Sequence, residues 1–354
     1  MPNNLANQNT YTAAAVLFET NRPLQILSNL RLPDLKSGQV LVKLFYSGVC
    51  HSQIMETRGR RGEDAWLPHL LGHEGSGQVI AIGDDVTKVK CGQDVILTWI
   101  KCNGIDAGGA QYTHGPSCVI NAGAVTTFNQ YAVVSENRLV PSPEGLPLDI
   151  AALYGCAIPT GAGIIINELK PENKKDFVFV GIGGIGLSAL MTSCIYSPNL
   201  IIAVDISQEK LNLAKALGAT HTVNASLVDP NEAIKGIAPN GVDYGIDASG
   251  TTKGIELAFN SIKRNGGICT FASHPRHGDM ITLDPYELIC GKQLRGSWGG
   301  SVEPDRDIPL FSKLFKENNI PIEKLISRRY SLNEINQALD DLESGAATRP
   351  LIYF

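Results

Sequence analysis

The 354-residue sequence lacks several features that mark specialised proteins. No apolar run is long enough to cross a bilayer, because Asn, Lys or Gly interrupts the longest candidates. No charged segment followed by an apolar run opens the sequence, which argues against secretion. The longest basic block is Arg58, Gly59, Arg60 and Arg61, and the net charge is −5, so nucleic acid is not an expected partner. We therefore expect a cytoplasmic globular protein that binds neither membranes nor nucleic acid.

Closely spaced cysteine pairs are also absent. The eight cysteines, at positions 50, 91, 102, 118, 156, 194, 269 and 290, are widely and irregularly spaced. Cytoplasmic thiols stay reduced, so metal ligation or core packing is expected rather than a disulfide framework.

The length of the chain indicates two domains. After about residue 173, short apolar runs alternate with helical segments, which predicts a doubly wound parallel sheet. Its predicted strands are FVFV (177–180), IIAVDI (201–206), HTVNA (221–225), VDYGIDAS (242–249) and GICTFAS (267–273). The first 150 residues carry short alternating runs broken by Gly, Asp and Pro, which predict a strand-rich, barrel-like domain. We expect a nucleotide domain at 158–297, inserted into a catalytic domain formed by 1–157 and 298–354.

A glycine-rich motif follows the first strand of the predicted nucleotide domain. Gly181, Gly183 and Gly186 form G-x-G-x-x-G, with Gly184 inside it, at the start of a helical pattern. Such glycines permit a tight turn, a close approach of pyrophosphate to the backbone, and packing of the helix on the sheet. Asp205 ends the next strand, where a carboxylate binds the ribose hydroxyls of NAD and repels the 2′-phosphate of NADP. Alternatively, the turn binds nothing and Asp205 caps the following helix.

Two cysteines and a histidine form a candidate metal site. Cys50 follows an apolar strand, His73 precedes another, and Cys156 lies just ahead of the predicted nucleotide domain. Two thiolates and an imidazole suit zinc, and three protein ligands leave a fourth position open for catalysis. Taken singly, each residue would be more typical of ordinary packing than of metal binding.

The segments GVCHS, GHEGSGQV, GCAIPTG, VFVGIGGIG, AVDIS and GATH, in this order, resemble the medium-chain zinc alcohol dehydrogenase family over nearly the whole chain. The resemblance implies an α/β protein in which a Rossmann domain is inserted into a GroES-like catalytic domain. It implies reversible hydride transfer between NAD and a primary or secondary alcohol, with polyols and sugar derivatives among the candidates. It also implies one catalytic zinc per chain and a homodimer or homotetramer.

The resemblance assigns roles to side chains around the metal. The implied zinc ligands are Cys50, His73 and Cys156. Glu74 would be the acidic neighbour behind the metal. Ser52 would relay the alcohol proton, and His51 would be the basic residue near the cofactor phosphates.

Further roles fall on the cofactor side. Thr160 resembles a threonine that faces the nicotinamide ring. Lys210 resembles a contact to the adenosine ribose, and Arg349 a contact to the pyrophosphate.

Two regions depart from the family pattern. Gln53 stands where relatives carry an aspartate that orients the zinc histidine, so the histidine loses a charged partner. Where many relatives bind a second zinc through four cysteines, only Cys102 and Cys118 remain, with His114 and Asp106 as possible additions. We therefore expect no second zinc.

The segment after Ser52 carries Arg58, Arg60 and Arg61. These side chains could hold an anionic substrate, or they could form a solvated cluster paired with Glu63 and Asp64.

Two other functions compete with an alcohol dehydrogenase. A zinc-free quinone or enoyl reductase of the same fold would lack the ligand trio, whereas all three residues are present here. A non-catalytic cofactor-binding protein would have no need of Ser52 as a proton relay.

Overall fold

The computed structural model describes residues 11–354, and its contacts divide the chain into two compact units. Unit 1 contains the described residues up to Cys156, together with Glu303–Ser312 and Ile326–Phe354. Unit 2 contains Ala157–Val302 and Lys313–Leu325. The chain thus leaves unit 1 after Cys156 and returns to it later, as in an inserted domain. The boundaries that we expect from the sequence stay a prediction.

The strands are numbered in chain order. Those before Cys156 are β1 (Tyr11–Leu17), β2 (Gln25–Arg31), β3 (Gln39–Gly48), β4 (His69–Leu70), β5 (Glu74–Ile82), β6 (Asp94–Thr98), β7 (Ala110–His114), β8 (Cys118–Ala122), β9 (Tyr131–Ser135) and β10 (Leu139–Pro141). Unit 2 adds β11 (Asp176–Val180), β12 (Leu200–Asp205), β13 (His221–Asn224), β14 (Tyr244–Asp247), β15 (Ile268–Phe271) and β16 (Gln293–Gly296). The chain ends with β17 (Arg328–Ser331) and β18 (Pro350–Tyr353).

The helices are likewise numbered in chain order. They are α1 (His51–Thr57), α2 (Leu148–Leu153), α3 (Ala157–Gly163), α4 (Gly184–Ser193), α5 (Gln208–Ala216), α6 (Pro230–Ile237), α7 (Thr252–Ser261), α8 (Pro285–Ile289), α9 (Pro304–Glu317) and α10 (Ile335–Ser344). A π-helical segment, Ile164–Leu169, follows α3. None of the helices that the structure describes is long and apolar enough to span a membrane.

Unit 1 is built from two strand systems. Strands β1, β2, β7, β8 and β4 close into a barrel, whose core includes Val16, Leu30 and the fully buried Tyr112. A seven-stranded sheet has the order β10-β6-β5-β3-β18-β17, with β9 paired to β3. Strand β7 alternates between buried and more exposed residues, whereas β6 and β9 are buried along four of their five residues. The short apolar runs of the sequence predicted the strand-rich domain correctly.

Unit 2 has the predicted parallel sheet. Its order is β13-β12-β11-β14-β15-β16, and every neighbouring pair within it is parallel. This 3-2-1-4-5-6 order is the dinucleotide-binding arrangement, in which ligands bind beyond the carboxyl ends of the strands. Strand β11 is buried along four of its five residues, since helices cover both faces of such a sheet.

Candidate functional site

The three candidate metal ligands lie at the ends of regular elements in unit 1. Cys50 follows β3 and is the N-cap residue of α1. His73 immediately precedes β5. Cys156 lies between α2 and α3 and is the last residue of unit 1 before the chain enters unit 2. All three side chains therefore start from backbone that the elements hold in place.

The structure brings these ligands together. One donor atom from each residue lies within 4.8 Å of the others, and the two Sγ atoms are 4.0 Å apart. Zinc bound tetrahedrally by thiolates holds sulfurs about 3.8 Å apart, given Zn–S bonds of ~2.3 Å. Nε2 of His73 is buried and has no hydrogen-bond partner. The trio therefore fits a zinc ion through two sulfurs and this nitrogen.

The pKa shifts of the three candidate ligands favour the binding of a cation. A hydrogen bond from Cys156 holds the pKa of the Cys50 thiol well below its usual value, while the same contact and burial raise the pKa of Cys156. Burial alone would lower the pKa of His73, but its contacts with the Cys50 thiolate raise it overall. Cys50 is thus the more acidic of the two thiols, and a bound metal would favour the thiolate form of both.

The other ring nitrogen of His73 faces helix α1. Nδ1 lies 2.5 Å from Nε2 of Gln53 and 3.5 Å from Oγ of Ser52. Gln53 is 1% exposed, and its Oε1 accepts a 2.9 Å hydrogen bond from the backbone N–H of Cys50. His51 is the first residue of α1 and is exposed. The predicted relay residue Ser52 and the predicted basic residue His51 therefore share the helix turn that follows the first candidate ligand.

A buried ion pair lies next to the trio. Glu74 is 0% exposed and Arg349 is 3% exposed, and Nη2 of Arg349 donates to the Glu74 carboxylate. Burial raises the pKa of Glu74, although Arg349 opposes this. Desolvation disfavours the guanidinium charge, but Glu74 and the Cys50 thiolate raise the pKa of Arg349 overall. Arg349 thus pairs with the residue that follows the candidate ligand His73. Its contact to pyrophosphate stays a prediction.

The glycine motif of unit 2 forms the expected turn between β11 and α4. Gly181 has φ +86°, and a side chain there would come within 2.5 Å of the backbone nitrogen of Ser249. A Cβ on Gly186 would lie 2.0 Å from the carbonyl oxygen of Gly181, so only glycine lets α4 pack on the turn. A Cβ on Gly183 would meet no atom within 4 Å, and Gly184 begins α4. The backbone at Gly183 is therefore open to a ligand.

Asp205 stands at the end of β12, beside this turn. Its carboxylate accepts hydrogen bonds from the backbone N–H of Ile182, at 2.7 Å, and of Ser207, at 2.9 Å. Lys210 lies in the first turn of α5, whose N-cap is Ser207. Each oxygen of Asp205 accepts one of these bonds, so lone pairs remain for ribose hydroxyls.

Two buried polar residues of unit 2 complete the picture. The predicted residue Thr160 is 3% exposed on α3, and its Oγ1 has no hydrogen-bond partner. Asp247, which sequence reasoning did not single out, ends β14 at 0% exposure. Desolvation raises the pKa of Asp247 to about 6, against two hydrogen bonds from Ser249. In the sequence, Asp247 could have been recognised as an acidic residue at the end of a predicted strand, at the ligand-binding edge of the sheet.

The arginines after Ser52 are paired, and two of them pair with residues that are distant in the sequence. Arg58 binds Asp340 at 2.5 Å and Glu343 at 2.8 Å, and Arg60 also binds Glu343, so both reach α10. Arg61 binds Glu56 at 3.1 Å. The prediction of a paired cluster is thus correct in kind, but Glu63 and Asp64 are the wrong partners, because α10 packs against α1.

Two of the residues considered for a second zinc, Cys102 and Asp106, have other contacts. Sγ of Cys102 donates to the carbonyl oxygens of Asn137 and Leu139, at 3.1 and 3.3 Å. Asp106 pairs with Lys101 at 2.8 Å. Cys118 stands opposite His114 in the β7–β8 hairpin.

Comparison with known proteins places these features in context. Residues 36–144 match the family model for the alcohol dehydrogenase GroES-like domain, and residues 184–317 match that for the zinc-binding dehydrogenase domain. The alcohol dehydrogenase class-3 of Cereibacter sphaeroides is 29% identical over 377 residues, covering 97% of this chain and 100% of that protein.

Two solved structures are similar in fold and sequence. One is an alcohol dehydrogenase zinc-binding domain protein from Burkholderia ambifaria, with a TM-score of 0.85 and 30% identity over 97% of this chain and 98% of that one. The other is the benzyl alcohol dehydrogenase of Acinetobacter calcoaceticus, with a TM-score of 0.85 and 30% identity over 97% and 99% of the two chains.

Proposed function

Because the chain belongs to the medium-chain family of zinc-dependent alcohol dehydrogenases, we propose that Cys50, His73 and Cys156 hold the catalytic zinc with which it oxidises an alcohol, with NAD as the hydride acceptor. One observation carries this assignment. Two sulfurs and an unpartnered buried imidazole nitrogen converge from three separate parts of the chain. A zinc-free reductase or a non-catalytic cofactor-binding protein gives no reason for that convergence.

The protein's own side chains would manage the proton of the reaction. Bound zinc would supply a Lewis acid that polarises the oxygen of an alcohol or carbonyl substrate. Alcohol oxidation releases a proton from the hydroxyl group and transfers a hydride from the carbon to the nicotinamide of NAD. The Ser52 hydroxyl can accept the first and pass it on, since an O–H group both donates and accepts. The neighbouring exposed ring of His51 would deliver that proton to water.

The cofactor would bind at the carboxyl edge of the sheet in unit 2. The open backbone at Gly183 and the first N–H groups of α4 would receive the pyrophosphate. Asp205 and Lys210 would contact the adenosine ribose, and the free Oγ1 of Thr160 would face the nicotinamide ring. An acid at position 205 favours NAD over NADP.

Glu74 and Arg349 would set the field behind the metal. Their opposite charges offset one another in a buried place where a single charge would be strongly unfavourable. Removing either partner would leave the other uncompensated beside the thiolates. We assign Glu74 to electrostatic support of the zinc, without direct contact to substrate.

Metal analysis and one pair of variants test the proposal. The purified protein should contain one zinc per chain. Cys156→Ala should abolish alcohol-dependent formation of NADH while NADH binding, followed by fluorescence, persists, because the glycine turn lies in unit 2. Cys91→Ala is the matched control, since that thiol is exposed and should be dispensable. Turnover that survives in Cys156→Ala would overturn the ligand assignment.

We also propose an uncharged alcohol as substrate. The support is that Arg58 and Arg60 are already paired with the acidic side chains of α10, which leaves little positive charge for an anion. A panel of alcohols, polyols and sugar phosphates, assayed for NADH formation, would separate these substrate classes.

Self-association and location complete the proposal. Strand β16 is an edge of the six-stranded sheet, and Ile289, at the end of the helix that precedes it in the sequence, is 79% exposed. The open edge supports a homodimer or homotetramer formed through it. All eight cysteines are free, which supports a reducing, cytoplasmic location. Light scattering of the purified protein tests the first point.

A further inference from the structure

The contacts of Gln53 bear on how tightly the proposed zinc is held. We propose that Gln53 makes the metal site a weak and exchangeable one, because its amide can satisfy only one of the two N–H groups that face it once zinc is bound. This inference rests on the proposed zinc ligands. It concerns zinc affinity and His73 orientation, and Gln53 acts as a positioning residue.

The first of these groups is the backbone N–H of Cys50, which donates to Oε1 of Gln53 at 2.9 Å. This bond is half of a capping box at the start of α1, since the Cys50 side chain reciprocally meets the backbone N–H of Gln53. An unsatisfied N–H in such a buried place would be unfavourable, because it has given up its bond to water. The amide oxygen is therefore committed to the first ligand residue.

The second group arises on His73. When Nε2 of a neutral histidine binds a metal, the ring proton must be on Nδ1, which then needs an acceptor. In the structure Nδ1 instead faces the amide nitrogen of Gln53, a donor, at 2.5 Å. Nδ1–H and the NH₂ group would oppose each other.

Rotating the amide does not remove the conflict. The oxygen would then accept from His73, but the NH₂ group would face the N–H of Cys50. Ser52 offers a second acceptor only at 3.5 Å, a long contact. A carboxylate at position 53 would accept both hydrogens at once, because each of its oxygens is an acceptor.

Gln53→Glu is the decisive variant, since it keeps the shape of the side chain and replaces the donor by an acceptor. Partners of metal-binding histidines typically change metal affinity by about 10–100-fold. We expect zinc affinity, measured by competition with a chromophoric chelator, to rise at least tenfold in Gln53→Glu. An unchanged or lower affinity would overturn the inference.

Two further variants test whether the change in zinc affinity comes from the hydrogen-bond acceptor at position 53 rather than from a change of charge or from misfolding. Glu56→Gln, on the same helix, also changes a charge that acts on His73 and should alter zinc affinity by less than about threefold. Gln53→Met is close in shape but removes the acceptor of the Cys50 N–H as well as the amide nitrogen, so it should bind zinc more weakly than Gln53→Glu. Equal zinc affinity in Gln53→Met and Gln53→Glu, or an equal response in Glu56→Gln, would contradict the proposal.

A spectroscopic readout does not depend on zinc. Nitrogen NMR of the zinc-free protein in alkaline buffer should find the neutral His73 ring protonated at Nε2 in the wild type and at Nδ1 in Gln53→Glu. The same tautomer in both proteins would contradict the inference. If neither protein binds one zinc per chain, the proposed function itself fails; if both bind one zinc with equal affinity, only the role of Gln53 fails.

Discussion

The buried carboxyl group of Asp247 gives unit 2 a pH dependence that can be measured. Asp247 is 0% exposed at the end of β14, and its Oδ2 has no hydrogen-bond partner. Oδ1 accepts the backbone N–H of Ser249 at 3.2 Å and its hydroxyl at 2.6 Å. Two bonds to one oxygen do not offset the loss of water, so burial raises the pKa to about 6.

The size and sign of the effect follow from this pKa. Between pH ~4 and ~6 the folded protein binds the proton of Asp247 more tightly than the unfolded chain does, so stability falls as pH rises through this window. The gap from the ordinary value of 3.8 is about 2 pH units, and ~1.4 kcal/mol for each makes a loss of about 3 kcal/mol. The loss is absent below pH ~4 and complete above pH ~6.

Asp247→Asn removes this titration, because an amide of the same shape carries no charge in this range. Urea unfolding of the nucleotide-free protein can be followed for unit 2 through hydrogen exchange of the backbone N–H groups of β14. The free energy of unfolding of the variant should rise by about 3 kcal/mol relative to that of the wild type between pH ~4 and ~7. A constant offset from the amide itself does not affect this slope. Asp279→Asn, at an exposed position, is the control and should keep the wild-type slope. A parallel pH dependence in Asp247→Asn and the wild type would refute the reasoning.

Two further predictions concern the cofactor turn. Asp205→Ala removes the carboxylate that would repel a 2′-phosphate, so the ratio of NADP to NAD affinities should rise; an unchanged ratio would assign selectivity to another residue. Gly186→Ala should destabilise unit 2 by about 1–3 kcal/mol, because its Cβ would lie 2.0 Å from a carbonyl oxygen. Gly183→Ala should leave stability nearly unchanged but weaken NADH binding, since its Cβ would meet only open space; equal unfolding midpoints for the two glycine variants would contradict this contrast.

Most strands of unit 2 could be predicted from the sequence, because each is a short apolar run that is recognisable without any distant contact. FVFV and IIAVDI became β11 and β12, continuous apolar runs that are buried on both faces. Strand β16 was missed because its sequence, QLRG, is polar and half-exposed at the sheet edge. An edge strand buries little and therefore leaves almost no hydrophobic pattern to detect.

Side-chain partners were the least predictable feature. Arg349 reaches Glu74 across 275 positions, and Arg58 reaches Glu343 across 285. Local charge patterns suggested Glu63 and Asp64 for the arginines, since neighbours in sequence are all that such patterns contain. The contact that directs Gln53 at His73 has the same character, because residue types and spacing do not specify which atom of an amide faces a ring.

The three proposed zinc ligands, in contrast, were predicted from their residue types and from the family resemblance, and the sheet of unit 1 fixes the backbone that carries them. Strand β3 pairs with β5 so that Ser47 lies opposite Gly75, which brings the segments of Cys50 and His73 side by side. Strand β5 pairs with β6, and Oγ1 of Thr98 in β6 donates to the carbonyl of Gly155 at 2.8 Å, which holds the residue before Cys156. A hydrogen-bonded path through three neighbouring strands thus joins the segments that carry all three side chains. Because this path fixes the backbone, the affinity for zinc would depend on side-chain contacts such as that of Gln53.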